Sequence, residues 1–219
     1  MLLQVKICGI KDEDMLGAAI DAGADFVGFV FFPKSPRHVS VSQASELARF
    51  LRQTPDNERP KIVSLVVNAT DEELELIYKE VQPDYIQLHG SETAERTNEI
   101  NERFQTPLIK AIGVTTASDV ALADDYSAAE IILFDAKADP KLTDLPGGNG
   151  IPFDWTALTG QKEKRNFMLS GGLTPENVAE AIALTRASIV DVSSGVETSP
   201  GVKDRALIQD FIKAAKGAT

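Results

Sequence analysis

The sequence predicts an α/β protein, a single-domain (β/α)8 TIM barrel that occupies residues 1–219. Two observations lead to this prediction: eight short runs rich in β-branched and aromatic residues recur along the chain, and most intervals between them carry a helical pattern. Alternating strands and helices are typical of a parallel sheet, and eight repeats favour a closed barrel. With 43% hydrophobic residues over 219 positions, the chain can bury one sizeable core without a second domain.

The predicted strands cover residues 3–8, 26–31, 62–67, 85–88, 108–112, 131–134, 166–169 and 189–192. Helical patterns with start signals follow at residues 15–22, 74–78 and 178–184. The last has the clearest boundary, with Thr174 as N-terminal cap and Pro175 at the first helical position. The longest irregular segment, residues 136–152, is either an active-site loop that closes over a substrate or a solvated surface loop.

Charge and hydropathy argue against two classes of partner, nucleic acids and membranes. A net charge of −11 and a pI near 4.7 argue against a nucleic-acid partner, although a pocket on an acidic protein can still be locally positive. The first residues lack the pattern of a signal peptide, and the densest apolar run, residues 26–32, is too short to span a bilayer. We therefore expect a cytoplasmic protein without a membrane partner. The single cysteine agrees with a reducing compartment.

That single cysteine, Cys8, ends the first predicted strand and precedes Gly9. A lone thiol can be a nucleophile or a base, but free cysteines are most often inert and buried, and taken alone Cys8 favours the inert alternative. Side chains alternate across a strand, and Val5 and Ile7 suit the helix side. This alternation turns Lys6 and Cys8 towards the barrel interior.

The same alternation places polar side chains inside the barrel near the carboxyl ends of three other strands. These residues are Gln87 and His89 in the fourth strand, Asp135 in the sixth and Asp191 in the eighth. Barrel enzymes carry their chemistry at this end. A satisfied polar layer explains one or two such residues, whereas the whole set favours a functional site.

Two turns and one loop add candidate anion-binding groups. The turn Gly171-Gly172 follows strand seven and Ser193-Ser194-Gly195 follows strand eight, the usual phosphate cradle of this barrel. Either turn alone could be ordinary turn chemistry, but the adjacent pair favours a phosphate site. Arg37, on a loop stiffened by two prolines, could hold a carboxylate or be a solvated surface charge.

The chain resembles the phosphoribosylanthranilate isomerase family of tryptophan biosynthesis. The matching segments run in order along nearly the whole chain: Lys6-Ile7-Cys8-Gly9-Ile10, Gly28-Phe29-Val30-Phe31, Pro33-Lys34-Ser35-Pro36-Arg37, Gln87-Leu88-His89-Gly90, Leu133-Phe134-Asp135, Gly147-Gly148-Asn149-Gly150, Leu169-Ser170-Gly171-Gly172-Leu173, Pro175-Glu176-Asn177 and Asp191-Val192-Ser193-Ser194-Gly195-Val196-Glu197. Each motif alone is weak, and the ordered set is specific.

The resemblance implies an Amadori rearrangement of N-(5-phosphoribosyl)anthranilate to 1-(2-carboxyphenylamino)-1-deoxyribulose 5-phosphate. By position, Asp135 is implied as general acid and Cys8 as general base. Arg37 is implied to hold the anthranilate carboxylate, with Asp191 near the substrate nitrogen and the phosphate on Gly171, Gly172, Ser193, Ser194 and Gly195. Gln87 and His89 match a motif in the pocket wall and receive no chemical step.

The implied reaction has no net oxidation, so no redox cofactor is expected, and no Cys/His metal-ligand spacing occurs in the sequence. The expected partner is a small anionic phosphosugar, with the protein a monomer or a homodimer. Two alternatives stay open: another sugar-phosphate isomerase of the same barrel, such as the histidine-pathway type with an aspartate where Cys8 stands, and a non-catalytic phosphosugar-binding module.

Overall fold

The computed structural model describes residues 3–137, 153–161 and 165–218. Eight parallel strands form a closed barrel in chain order, as the sequence predicts, and the last strand pairs with the first. The strands are β1 (Gln4–Cys8), β2 (Phe26–Phe31), β3 (Lys61–Val66), β4 (Tyr85–Leu88), β5 (Leu108–Val114), β6 (Ile131–Ala136), β7 (Phe167–Leu169) and β8 (Ile189–Val192). Every predicted strand is present, with ends within two residues of those predicted.

The helices are α1 (Glu13–Asp21), α2 (Val41–Leu51), α3 (Asp71–Val81), α4 (Ala94–Phe104), α5 (Ala117–Ala121), α6 (Val178–Thr185) and α7 (Arg205–Lys216). Short 3₁₀ helices cover Leu122–Asp125, Trp155–Leu158 and Ser194–Val196. In the described residues, no helix is long and apolar enough to cross a membrane.

One predicted helix boundary is wrong. Helix α6 is capped by Asn177 and begins at Val178, so Thr174 is not its N-terminal cap and Pro175 is not its first residue. Residues 174–177 instead form a separate turn, in which the Asn177 side chain accepts the Thr174 amide hydrogen at 2.8 Å and donates to the Gly172 carbonyl at 2.9 Å. These bonds attach the turn to the loop after β7.

The barrel interior divides into an apolar layer and a polar end. The apolar layer comprises Phe26, Val63, Tyr85, Ile109, Ala111, Ile131, Leu133, Met168 and Ile189. Alternate strand residues, among them Val5, Ile86 and Val190, pack outward in the main core beneath the helices. The layer closes the barrel below the carboxyl ends of the strands and so forms the floor of the site.

A short hairpin that the sequence does not predict follows β8. Its antiparallel strands are β9 (Glu197–Ser199) and β10 (Val202–Lys203). The hairpin brings Glu197 and Lys203 to the barrel mouth, and both are nearly buried there. The predicted loop of residues 136–152, with Gly147-Gly148-Asn149-Gly150, falls almost entirely on residues 138–152, which lie outside the described residues.

Candidate active site

Cys8 and Lys6 lie on the same inward face of β1, as the alternation predicts. Lys6 is fully buried, and its Nζ lies 2.8 Å from Asp191 Oδ1 on the neighbouring strand β8. Ser170, at the end of β7, donates its hydroxyl to Asp191 Oδ2 at 3.2 Å. Three adjacent strands therefore contribute to one buried polar cluster beside the thiol.

Opposing effects set the protonation of Cys8. Burial raises the pKa of its thiol, and the Asp191 carboxylate adds to the increase. The Lys6 and Lys203 cations act in the opposite direction, and the net pKa shift is upward. Burial acts to lower the pKa of Lys6, but its interactions with Asp191 and with Cys8 outweigh burial, and the net pKa shift is upward. Thus Lys6 is a cation, while Cys8 is held as a thiol at neutral pH.

A second buried cluster surrounds Glu197 in the hairpin. Arg37 forms a bidentate ion pair with this carboxylate, with Nε to Oε1 and Nη2 to Oε2 both at 2.8 Å. Lys203 Nζ approaches Oε1 at 2.6 Å, and the Gly201 amide donates to Oε2 at 3.0 Å. Burial acts to raise the pKa of Glu197, but the two cations and the amide outweigh it, so the carboxylate is stabilised.

Ser193 joins this cluster to β1. Its hydroxyl donates to the carbonyl of Cys8 at 3.0 Å and accepts from Lys203 Nζ at 3.3 Å. Lys203 also donates to the Ser193 carbonyl at 3.0 Å. The Ser193 side chain, predicted as a phosphate ligand, thus fixes the end of the strand that bears the thiol.

Asp135 occupies the mouth on the other side, at the end of β6. Gln87 Nε2 lies 2.8 Å from His89 Nδ1, and His89 Nε2 lies 3.2 Å from Asp135 Oδ2. With Gln87 as donor to Nδ1, a neutral imidazole carries its proton on Nε2, the nitrogen nearer the carboxyl group. The Ala136 amide donates to Oδ1 at 2.8 Å. Gln87, His89 and Asp135 therefore form a chain of polar contacts.

The two predicted anion-binding turns are in contact with each other. Gly171 and Gly172 have φ angles of +88° and +65°, a region that L side chains rarely adopt. A Cβ at Gly195 would lie 1.9 Å from the carbonyl oxygen of Leu173, so the loop after β8 packs directly on the loop after β7. The amides of Gly172, Ser194 and Gly195 donate to no other described residue. This arrangement leaves donors for an anion at one edge of the mouth.

An apolar wall lies between these polar groups. Cys8, Val30 and Leu65 form a buried cluster, against which Phe32 and Val67 pack. Gly28 permits the close packing, since a Cβ there would lie 2.9 Å from Cys8 Sγ. The thiol thus faces a surface suited to a planar apolar group.

The sequence reasoning missed three residues of these clusters: Ser170, Glu197 and Lys203. Ser170 and Glu197 stand inside the matching motifs, which could have suggested them. Lys203 lies in a two-residue strand with no periodic pattern, so no local signal pointed to it. Its place depends on the hairpin, which folds back on Ser193.

Comparison with known proteins assigns the family. The family model described as N-(5'phosphoribosyl)anthranilate (PRA) isomerase matches residues 5–214. The N-(5'-phosphoribosyl)anthranilate isomerase of Nitrobacter winogradskyi is 50% identical over 219 residues, which cover 100% of this chain and 95% of the relative.

Solved structures agree with this assignment. A phosphoribosyl anthranilate isomerase in complex with reduced 1-(o-carboxyphenylamino)-1-deoxyribulose 5-phosphate has a TM-score of 0.83 and 38% identity, covering 99% of this chain and 100% of the other. Monomers generated from the dimeric isomerase of Thermotoga maritima have a TM-score of 0.82 and 38% identity, with the same coverage. The chain therefore belongs to the N-(5'-phosphoribosyl)anthranilate (PRA) isomerase family.

Proposed function

We propose that Cys8 and Asp135 are the general base and general acid of the isomerisation of N-(5'-phosphoribosyl)anthranilate, a step of tryptophan biosynthesis. The observation that carries this proposal is their placement: both are buried at the same end of one barrel, each beside groups that set its protonation or orientation. The family match over residues 5–214 supports the reaction.

In the first step Asp135 donates a proton to the ribose ring oxygen. The bond between that oxygen and C1′ breaks, and the nitrogen lone pair forms a protonated imine with C1′. The Asp135 carboxylate left behind accepts a hydrogen bond from the Ala136 amide and lies 3.2 Å from His89 Nε2. Gln87 keeps the imidazole in the tautomer with its proton on Nε2, the nitrogen on the side of Asp135.

In the second step the Cys8 thiolate removes the proton from C2′. The electron pair of the broken C–H bond forms the C1′–C2′ double bond, and the imine nitrogen becomes neutral. The resulting enolamine loses its hydroxyl proton and gains one at C1′, giving the ketone. Because Cys8 starts as a thiol, it first releases its proton to water, and Asp135 later takes up one proton from water, so both groups return to their starting states.

Lys6 supports the second step because its cation favours the thiolate that burial disfavours. The thiolate must form before it accepts the proton, and Lys203 contributes a second favourable charge. Asp191, held by Lys6 and Ser170, is proposed to face the substrate nitrogen, where a positive charge develops in the imine.

Anion contacts would orient the substrate. The phosphate is proposed to bind the backbone amides of Gly171, Gly172, Ser193, Ser194 and Gly195. The anthranilate carboxylate is proposed to bind the Arg37 guanidinium, and the anthranilate ring to pack on the apolar wall around Cys8. A phosphosugar substrate, a cytoplasmic location and a monomeric or homodimeric state stay predictions for this chain.

A fluorescence assay tests the proposal. Purified protein is mixed with freshly made phosphoribosylanthranilate, and loss of anthranilate-type fluorescence is followed against buffer. The parent should turn over, and Cys8→Ala and Asp135→Asn should each lower kcat by about 10²–10⁴-fold while the protein stays folded. Met168→Leu, in the apolar floor, is the matched control and should keep full kcat. No turnover by the parent, or full turnover by either variant, contradicts the proposal.

A further inference from the structure

A buried ion pair lies just outside the barrel mouth and has no part in the chemistry above. Lys110 Nζ is 2.7 Å from Glu92 Oε2, and both side chains are 3% exposed. Its strand neighbours Ile109 and Ala111 face the barrel interior, so Lys110 points towards the helix layer. The pair therefore stands behind the wall of the site.

Both charges bind the backbone of the turn after β4. Lys110 Nζ donates to the carbonyls of Gly90 at 2.9 Å and Leu88 at 3.4 Å. The Glu92 carboxylate accepts the amide hydrogens of Gly90 at 2.9 Å and of Asn68, on the preceding loop, at 2.8 Å. These bonds hold the residues on either side of His89.

Close packing around position 90 explains why the motif Gln87-Leu88-His89-Gly90 ends in glycine. A Cβ at position 90 would lie 2.5 Å from Asn68 Oδ1 and 2.8 Å from Glu92 Oε1. The Asn68 oxygen is fixed there because it accepts the Ser91 amide hydrogen at 2.9 Å. The close approach of the Glu92 carboxylate thus requires glycine at this position.

His89 lies inside this clamp and connects it to Asp135. Its own amide donates to the Val66 carbonyl at 2.9 Å, so its main chain is fixed while its ring reaches Asp135 at 3.2 Å. A displaced turn would lengthen or misalign that ring contact. Small misplacements of a catalytic group lower turnover strongly.

We propose that Lys110 and Glu92 are a positioning pair, which fixes the turn after β4 so that the His89 ring holds the Asp135 carboxyl group in place. This inference rests on the proposed role of Asp135 as the general acid. Two apolar side chains of similar size would stabilise this layer equally well. The ion pair supplies what they could not, which is directional bonds to Leu88, Gly90 and Asn68.

The test variant carries Lys110→Met together with Glu92→Gln, which removes both charges and leaves no buried charge unpaired. The chain has two histidines, and His38 is exposed, so NMR signals of the His89 ring can be read against His38 as internal reference. We expect the His89 ring signals to shift and those of His38 to stay. In the same protein kcat should fall about tenfold with KM within about twofold.

The matched control is Ile100→Ala, a buried apolar residue of α4 in the same layer. It should lower the Tm but leave the His89 signals and kcat unchanged. If the double variant does not fold, Lys110→Arg is measured in the same way, since it keeps the charge but changes the geometry of the donor bonds. Here too the His89 signals should shift and kcat should fall.

The proposal is overturned if the His89 signals are unchanged in whichever variant folds. It is also overturned if Ile100→Ala loses as much kcat as that variant does. Failure of the proposed function is distinguished by the activity of the parent protein. In that case the parent has no isomerase activity, while the His89 signals still report whether the ion pair positions the ring.

Discussion

The two sides of the barrel mouth prepare their reactive groups in opposite ways. Cys8 lies among buried charges, with the ion pair of Lys6 and Asp191 beneath it and the pair of Lys203 and Glu197 beside it. Asp135 lies at the end of a chain of polar contacts through His89 and Gln87. The base side controls protonation by electrostatics, whereas the acid side controls orientation by geometry.

This difference follows from what each step requires. A buried thiol resists ionisation, so a base made from cysteine needs cations close to it. A carboxyl group that protonates one ring oxygen needs its reactive oxygen aimed correctly. Substitutions of the neighbours that support the two groups should therefore affect different properties: stability and thiol protonation around Cys8, and the orientation of the acid, read as turnover, around Asp135.

The largest expected effect is on stability, at Lys6. Lys6→Met leaves the buried Asp191 carboxylate without its cation, and breaking one partner of a buried pair costs about 3–5 kcal/mol of unfolding free energy. On the acid side, His89→Gln removes no ion pair of this kind and should change the unfolding free energy by about 1 kcal/mol while lowering kcat about tenfold. Urea denaturation and steady-state kinetics of the two variants measure the contrast.

Lys6→Met combined with Asp191→Leu is the control, because it removes both charges. It should recover most of the unfolding free energy lost in Lys6→Met. An unfolding free energy equal in Lys6→Met and His89→Gln would remove the distinction between the two sides.

The next effect concerns the chemical role of Cys8. If Cys8 moves one proton and forms no covalent bond with the substrate, another base at the same position should restore part of the rate. Cys8→Asp should therefore retain about ten times or more the kcat of Cys8→Ala. Steady-state kinetics with phosphoribosylanthranilate decides the matter, and equal kcat in the two variants would contradict the role of a simple base.

The sequence predicted the residues on the strands better than those of the hairpin around Glu197. The alternation of side chains along four strands placed Lys6, Cys8, Gln87, Asp135 and Asp191 inside the barrel, because a strand period of two is fixed by backbone geometry. The eight strands were equally predictable, since each is a short apolar run between helices. His89 and Asp135 lie at regular strand ends, so the alternation of side chains identifies them as inward-facing.

The cluster around Glu197 could not be predicted from the alternation of side chains. Arg37 and Lys203 reach the same carboxylate from a proline-containing loop and from a two-residue strand, and neither has a periodic pattern. The upward pKa shift of Cys8 was likewise unpredictable, because burial and three neighbouring charges decide it together. The boundary at Thr174 was wrong because the cap rules describe local preference, while the Asn177 side chain binds the preceding loop.

A smaller effect is expected at Arg37, where binding should change more than turnover. Arg37→Ala removes a charge-assisted contact with the substrate carboxylate, worth about 1.5–3 kcal/mol, so KM should rise about 10–100-fold. Lys34→Ala, an exposed cation of the same loop, is the control and should leave KM unchanged. KM and kcat both unchanged in Arg37→Ala would rule out the carboxylate contact.

The smallest effect is a shift in a titration, and it tests the electrostatic description of the base side directly. The pKa of the Cys8 thiol is raised, so the thiolate should be absent at neutral pH and form only above the ordinary range of a cysteine. Because Cys8 is the only cysteine, the ultraviolet thiolate band in a difference spectrum against Cys8→Ala reports this group alone. A substrate analogue that carries no positive charge should not lower this pKa, whereas one that carries an iminium-like cation should, since an opposite charge close to the thiolate stabilises it. A thiolate band already complete at neutral pH in the unliganded protein would mean that Lys6 and Lys203 outweigh burial, and the base would then be ready before the substrate binds.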